Sequence, residues 1–77
     1  MLQQRLNARY KPVAKNIGAR ISHYRQEKGL TQQELAQLVF VSRVTITHYE
    51  VGRCSPPLPT LITIAQVLGR SLSDFEV

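Results

Sequence analysis

Apolar residues recur at intervals of three and four along most of this chain, the period of helices that bury one face. The first such run predicts a helix from about Val13 to Lys28, entered at Pro12, which suits a first turn, and closed by Gly29. No segment alternates apolar and polar residues as a strand does, so the pattern predicts an all-α fold. The buried stripe of this first helix comprises Val13, Ile17, Ile21 and Tyr24.

The second helix begins at a capping box, in which the Thr31 side chain and the Glu34 side chain each satisfy a backbone N–H of the other residue. The apolar positions behind it predict a buried stripe of Leu35, Ala36 and Val39.

The third helix begins at Ser42, a good N-cap residue, and ends at Gly52. Its period places Ile46 and Tyr49 on one face and the residues Val44, Thr47, His48 and Val51 on the other. Only Phe40 and Val41 separate it from the second helix. So short a connection predicts a roughly perpendicular pair, as in a helix-turn-helix.

A proline-rich connector precedes a fourth helix, expected from Leu58 or Pro59 to Leu68 and closed by Gly69. Its apolar face comprises Leu61, Ile64, Ala65 and Leu68. One more turn follows, capped by Ser71, with Leu72 and Phe75 pointing inward. The pattern therefore predicts a compact domain of four to five helices over residues 13–77, preceded by a basic arm, residues 1–12.

The chain has 77 residues and a net charge of +5, and seven of its ten basic residues lie in the first 28 positions. Such a concentration fits a polyanionic partner, most often nucleic acid, or else a solvated helix face with no partner. The single cysteine, Cys54, excludes an internal disulfide and, with His23 and His48 at their spacings, a zinc site. No signal peptide or membrane-spanning run is present, which predicts a cytoplasmic protein.

Two segments, "IGARISHYRQEKGLTQQELAQLVFVSRVTITHYEVG" and "SPPLPTLITIAQVLGRSLSDF", resemble the phage Cro/repressor-like (XRE-type) helix-turn-helix family over about Val13 to Phe75. The resemblance implies a lambda repressor-like fold and a transcriptional regulator, a repressor that binds a palindromic operator in double-stranded DNA as a dimer. Two alternatives stay open: an antitoxin-like or accessory protein-interaction module, and a restriction-modification controller. No cofactor is implied. An enzyme is not expected, because paired carboxylates, a nucleophile with its base and a phosphate-cradling loop are missing and the four glycines read as helix stops.

In the family, the second helix of the motif lies in the DNA major groove. Arg43 would pair with guanine or clamp a phosphate, while Val44 and the Thr47 methyl would pack on thymine methyls. His48 would donate to a base edge or a phosphate, or simply face solvent. The resemblance implies DNA contacts at seven positions: Gln32, Ser42, Arg43, Val44, Thr47, His48 and Arg53.

Other positions receive supporting roles from the resemblance. Gln32 would also brace the third helix, and Arg25 and Glu50 would form an ion pair that orients the motif. Dimerisation is expected to be weak in solution and to use the C-terminal residues Leu72, Phe75 and Val77. Arg5, Arg9 and Lys11 of the arm would follow the DNA backbone or form a disordered basic tail.

Phe40 departs from the family pattern, which usually has glycine at this turn because the backbone there adopts a positive φ. A non-glycine residue is strained by roughly 1–2 kcal/mol in that conformation. The turn either relaxes or retains the strain. We expect retained strain, offset by packing of Phe40 against the first or fourth helix, although an exposed ring would serve a partner.

Overall fold

The structure is a computed structural model that describes residues 16–75. It contains α1 (residues 16–27), α2 (Gln32–Leu38), α3 (Arg43–Glu50), α4 (Leu58–Leu68) and a final 3₁₀ turn, Leu72–Phe75. Over this range no strand forms, which confirms the all-α prediction. None of the helices in the described part is long and apolar enough to cross a membrane. The predictions made for residues 1–12, Val13 and Val77 lie outside the described residues.

The core is built from the predicted stripes of all four helices and the final turn. Within the described residues, every side chain of the predicted helix stripes is buried, as is Phe75, while Leu72 packs partly exposed against the core. The fully enclosed side chains come from different elements, so each helix depends on the others for burial of its apolar face. The largest of them are Phe75, Ile21, Leu35, Ile46 and Ile64.

The predicted caps are confirmed at the starts of α2 and α3. The Glu34 N–H donates to Thr31 Oγ1 at 3.0 Å, and the Thr31 N–H donates to Glu34 Oε1 at 2.9 Å. That second bond holds the pKa of the Glu34 carboxyl below its usual value. At α3 the Ser42 hydroxyl accepts from the Thr45 N–H at 3.1 Å. The two caps define where α2 and α3 begin.

The C-terminal turn is fastened to α1 through Tyr24. The Tyr24 and Phe75 rings meet edge to face at 5.4 Å, and the Tyr24 hydroxyl donates to the Asp74 carbonyl at 3.3 Å. The Arg70 guanidinium lies 4.3 Å from the Tyr24 ring centroid and also pairs with Glu27 at 2.8 Å. Phe75 is completely buried by this packing. Its predicted place in a dimerisation surface is therefore wrong, because the ring is part of the core of a single copy.

Gly18 lies inside α1, so its interpretation as a helix stop is wrong. A Cβ atom at this position would overlap the Tyr49 carbonyl oxygen and lie 2.8 Å from the Glu50 carbonyl oxygen. The missing side chain lets the backbone of α1 rest directly on the last turn of α3. The other three glycines do follow helices, with φ values of 73° at Gly29, 77° at Gly52 and 67° at Gly69.

Phe40 occupies the turn between α2 and α3 with φ 62°, the positive value that the family pattern predicts. Its side chain is 90% exposed, so the prediction that packing against α1 or α4 offsets the strain is wrong. The strain of roughly 1–2 kcal/mol thus has no compensating contact within the described fold.

Candidate nucleic-acid interface

Helix α3 divides into an anchoring face and an outward face. Ile46 and Tyr49 are buried, and burial raises the pKa of the Tyr49 phenol, with a smaller contribution from Cys54. On the opposite side Val44 is 61% exposed, Arg43 is exposed, and Thr47 and His48 are half-buried. The helix is therefore held by one flank and presents the other to solvent, as its period predicts.

A buried ion pair joins the end of α3 to α1. Arg25 donates through Nε to Glu50 Oε2 at 2.7 Å and through Nη2 to Glu50 Oε1 at 3.1 Å, and its Nη1 donates to the Leu30 carbonyl at 2.8 Å. The side chains of Arg25 and Glu50 are only 12% and 5% exposed. This arrangement confirms the predicted pair and satisfies two charges that would otherwise be costly to bury.

Gln32 extends this network from the first turn of α2 along α3. Its amide Nε2 donates to Glu50 Oε1 at 3.0 Å, and its Oε1 lies 3.2 Å from the Thr47 hydroxyl. The bracing role predicted for Gln32 is confirmed by these contacts. The Thr47 hydroxyl also lies 3.1 Å from the Arg43 carbonyl, so its single proton is shared between two acceptors. The Thr47 hydroxyl therefore has no proton left to donate to an external partner, whereas its methyl is uncommitted.

An open depression lies beside the starts of α2 and α3, lined by Arg25, Thr31, Gln32, Gln33 and Arg43. The Arg25 guanidinium is already committed to Glu50, whereas the Arg43 guanidinium forms no hydrogen bond or ion pair with the described residues. Arg43 is thus the cation available to an anion or base edge here. Sequence reasoning missed Gln33, whose only signal was its place beside Gln32 in the first turn.

The remaining predicted positions flank the same surface. The Ser42 hydroxyl is occupied by its cap to Thr45, and its Oγ lies 2.8 Å from Thr45 Oγ1. Arg53 is exposed in the loop after α3, where its backbone N–H donates to the His48 carbonyl at 2.9 Å. The fold therefore brings all seven predicted positions to the start of α2, α3 and the loop that follows it.

Comparisons with known proteins agree with this geometry. The pattern of the helix-turn-helix family matches residues 21–75. An HTH-type transcriptional regulator from Methanothermobacter thermautotrophicus is 52% identical over 50 residues, which cover 65% of this chain and 72% of that protein.

Two solved structures share the fold. The clp gene regulator ClgR from Corynebacterium glutamicum superimposes with a TM-score of 0.80 and 30% identity, covering 83% of this chain and 68% of that one. The restriction-modification controller C.AhdI from Aeromonas hydrophila gives a TM-score of 0.76 and 26% identity, covering 80% and 94%.

Proposed function

We propose, from the premise that this chain belongs to the XRE-type helix-turn-helix family of transcriptional regulators, that α3 enters the major groove of double-stranded DNA and reads its sequence. Membership confirms the predicted resemblance. It also confirms that the protein is a regulator with a helix-turn-helix DNA-binding domain and is not an enzyme. The residues that contact DNA and the arrangement of two copies on it are our proposals.

The two-sided character of α3 carries the proposal. A helix fits the major groove, which is about 12 Å wide, when one flank is free and its position is rigid. Burial of Ile46 and Tyr49 and the bonds among Arg25, Glu50 and Gln32 hold α3 in place. The exposed flank supplies a free guanidinium and apolar groups, the chemistry that recognises guanine and thymine.

Individual roles follow from the state of each side chain. Arg43 pairs with a guanine edge or a phosphate, and Val44 and the Thr47 methyl pack on thymine methyls. His48 donates to a base edge or a phosphate. Gln32 retains one amide hydrogen beyond its bond to Glu50, which it donates to a phosphate. Arg53 and the cap at Ser42 lie beside the DNA backbone.

Substitution of Arg43 by alanine tests this assignment. Sites are first selected from a random duplex library, and binding is then measured for each base at each position. Because a bidentate arginine contact discriminates by about 1–3 kcal/mol, we expect Arg43→Ala to weaken binding by that amount and to relax preference at one base pair.

The matched control is Lys28→Ala, which removes the same charge from an exposed position just after α1. We expect it to leave base preference intact. Equal affinity of Arg43→Ala and the parent for the selected site would contradict the groove assignment.

We further propose that two copies bind a palindrome, with half-sites about 10 bp apart, and that they meet through α4. Leu58 and Ile62, four residues apart on α4, are 55% and 39% exposed. Helix α4, of sequence LPTLITIAQVL, contains no charged residue. Copies that each carry +5 repel one another, so an uncharged face is the surface on which they can approach.

Charge insertion at Ile62 tests the α4 contact. The small patch predicts a dimer that is weak in solution and strengthened on DNA. We expect Ile62→Lys to abolish cooperative binding to the palindrome while leaving affinity for a single half-site within a few-fold. Gln37→Lys, an equal charge on the exposed side of α2, is the control for self-association measured by sedimentation without DNA. Unchanged cooperativity in Ile62→Lys would exclude α4 as the interface.

A second candidate function is control of a restriction-modification system. It is favoured by the superposition that spans 94% of C.AhdI. Such a controller binds upstream of genes for its own restriction system, so the genomic position of the selected sites separates it from a repressor of other genes.

A further inference from the structure

The turn between α2 and α3 combines two unfavourable features in one residue. Phe40 holds a left-handed backbone conformation, φ 62°, and leaves 90% of its side chain in water. Backbone hydrogen bonds close the turn: the Val39 N–H donates to the Leu35 carbonyl and the Val41 N–H donates to the Ala36 carbonyl, each at 3.0 Å. Glycine would suit this backbone better, so the ring contributes nothing to the folding of a single copy.

The ring points away from the core and lies close to the start of α3. Its neighbours Val39 and Val41 are buried and half-buried, so the Phe40 side chain projects between them to the outside. Arg43 follows three residues later, and three residues of chain span at most about 11 Å. Because this reach is comparable to the width of the major groove, about 12 Å, Phe40 can contact the wall of the groove when Arg43 is at a base edge.

The charges around the turn permit this approach. Between Glu34 and Glu50 the chain carries no carboxylate, while Arg43 and His48 lie in that interval. The segment itself therefore carries no negative charge that would repel phosphates. Leu38, 48% exposed and two residues before Phe40, adds apolar surface to the same segment. A protein bound there would occupy the end of α3 that carries Arg43, so DNA is the occupant that uses both features together.

We propose that the Phe40 ring packs against the wall of the major groove, on the deoxyribose carbons and a thymine methyl beside the Arg43 contact. This inference rests on the proposed DNA-binding function and adds a non-ionic contact to it. Thymine methyls and sugar carbons are the apolar surfaces that duplex DNA offers to such a ring. The strained turn is retained because glycine, although easier to fold, lacks this contact.

The experiment compares the parent with Phe40→Gly and Phe40→Asn on the duplex selected for the parent. Both replacements suit a positive φ, and asparagine controls for the added flexibility of glycine. We expect Phe40→Gly to raise the thermal midpoint by about 4–8 °C through relief of strain. Both variants should weaken DNA binding by about five- to tenfold. The slope of log affinity against log salt should not change, because no phosphate contact is lost.

The outcomes separate this inference from the proposed function. If Phe40→Gly and Phe40→Asn bind DNA with parental affinity while Arg43→Ala binds weakly, the proposed contact between the Phe40 ring and DNA is wrong. The proposed DNA-binding function would then still stand, and the ring would be available to a protein partner. A weakened Phe40→Gly beside a fully active Phe40→Asn would also overturn the contact, since flexibility would then be the cause. A parent that selects no duplex would refute the proposed function itself.

Discussion

Replacement of Gly18 by alanine is expected to destabilise the protein by about 3 kcal/mol, the upper end of what overpacking costs. In an ordinary helix interior the same change stabilises the protein by about 1 kcal/mol. The sign of the change in stability therefore shows whether Gly18 is in close contact with α3. The added Cβ would overlap the Tyr49 carbonyl oxygen and lie 2.8 Å from that of Glu50. Backbone atoms cannot rotate aside as a side chain does, so α1 and α3 must separate.

Urea unfolding measures this prediction, and Gly29→Ala is the matched control. Gly29 has φ 73° and nothing within 4 Å of the Cβ that alanine would add, so its replacement meets backbone strain without a collision. We expect a loss of about 1–2 kcal/mol there. A neutral or stabilising Gly18→Ala would show that the two helices do not touch as closely as the structure places them.

The order and boundaries of the helices could be predicted because their signals are local. Thr31 and Ser42 each satisfy a backbone N–H within three residues, and the apolar stripes repeat within single helices. The ion pair between Arg25 and Glu50, 25 residues apart, was instead predicted from family resemblance. Nothing in their immediate neighbours distinguishes them from solvated charges.

Gly18 and Phe75 show why the rest could not be predicted. Glycine serves a left-handed turn and a close helix contact equally well, and only the neighbour across the fold decides between them. From sequence alone, an apolar residue such as Phe75 fits either a core or a dimer surface. Its edge-to-face contact with Tyr24 of α1 places Phe75 in the core. Both interpretations failed where the deciding partner lies far away in sequence.

Within the candidate interface, the outward face of α3 was predictable from its period, but the use of each hydroxyl was not. Thr47 occupies an outward position, yet its hydroxyl is engaged by Gln32 and by the Arg43 carbonyl. Phe40 shows the opposite case, in which a local rule is broken without compensation inside the fold. Residues that break a local folding rule without compensation are often residues that serve function.

Removal of the Glu50 carboxylate is expected to have the largest effect of any single substitution proposed for this protein. Glu50→Ala leaves the guanidinium of Arg25, 12% exposed, without its partner, and such a loss costs about 3–5 kcal/mol. It also removes the acceptor that holds the Gln32 amide at 3.0 Å. We therefore expect both a lower free energy of unfolding and weaker DNA binding by the folded fraction, because α3 loses its brace.

Glu27→Ala is the control, since it deletes the same carboxylate from a pair with Arg70 whose side chains are 39% and 46% exposed. Exposed pairs contribute about 0–1 kcal/mol, so this change should be small. The double variant Arg25→Met, Glu50→Leu removes both charges and should recover much of the stability lost in Glu50→Ala. It should not recover DNA binding, because the bond to Gln32 is still missing. A Glu50→Ala variant no less stable than Glu27→Ala would show that the pair neither holds the helices nor orients α3.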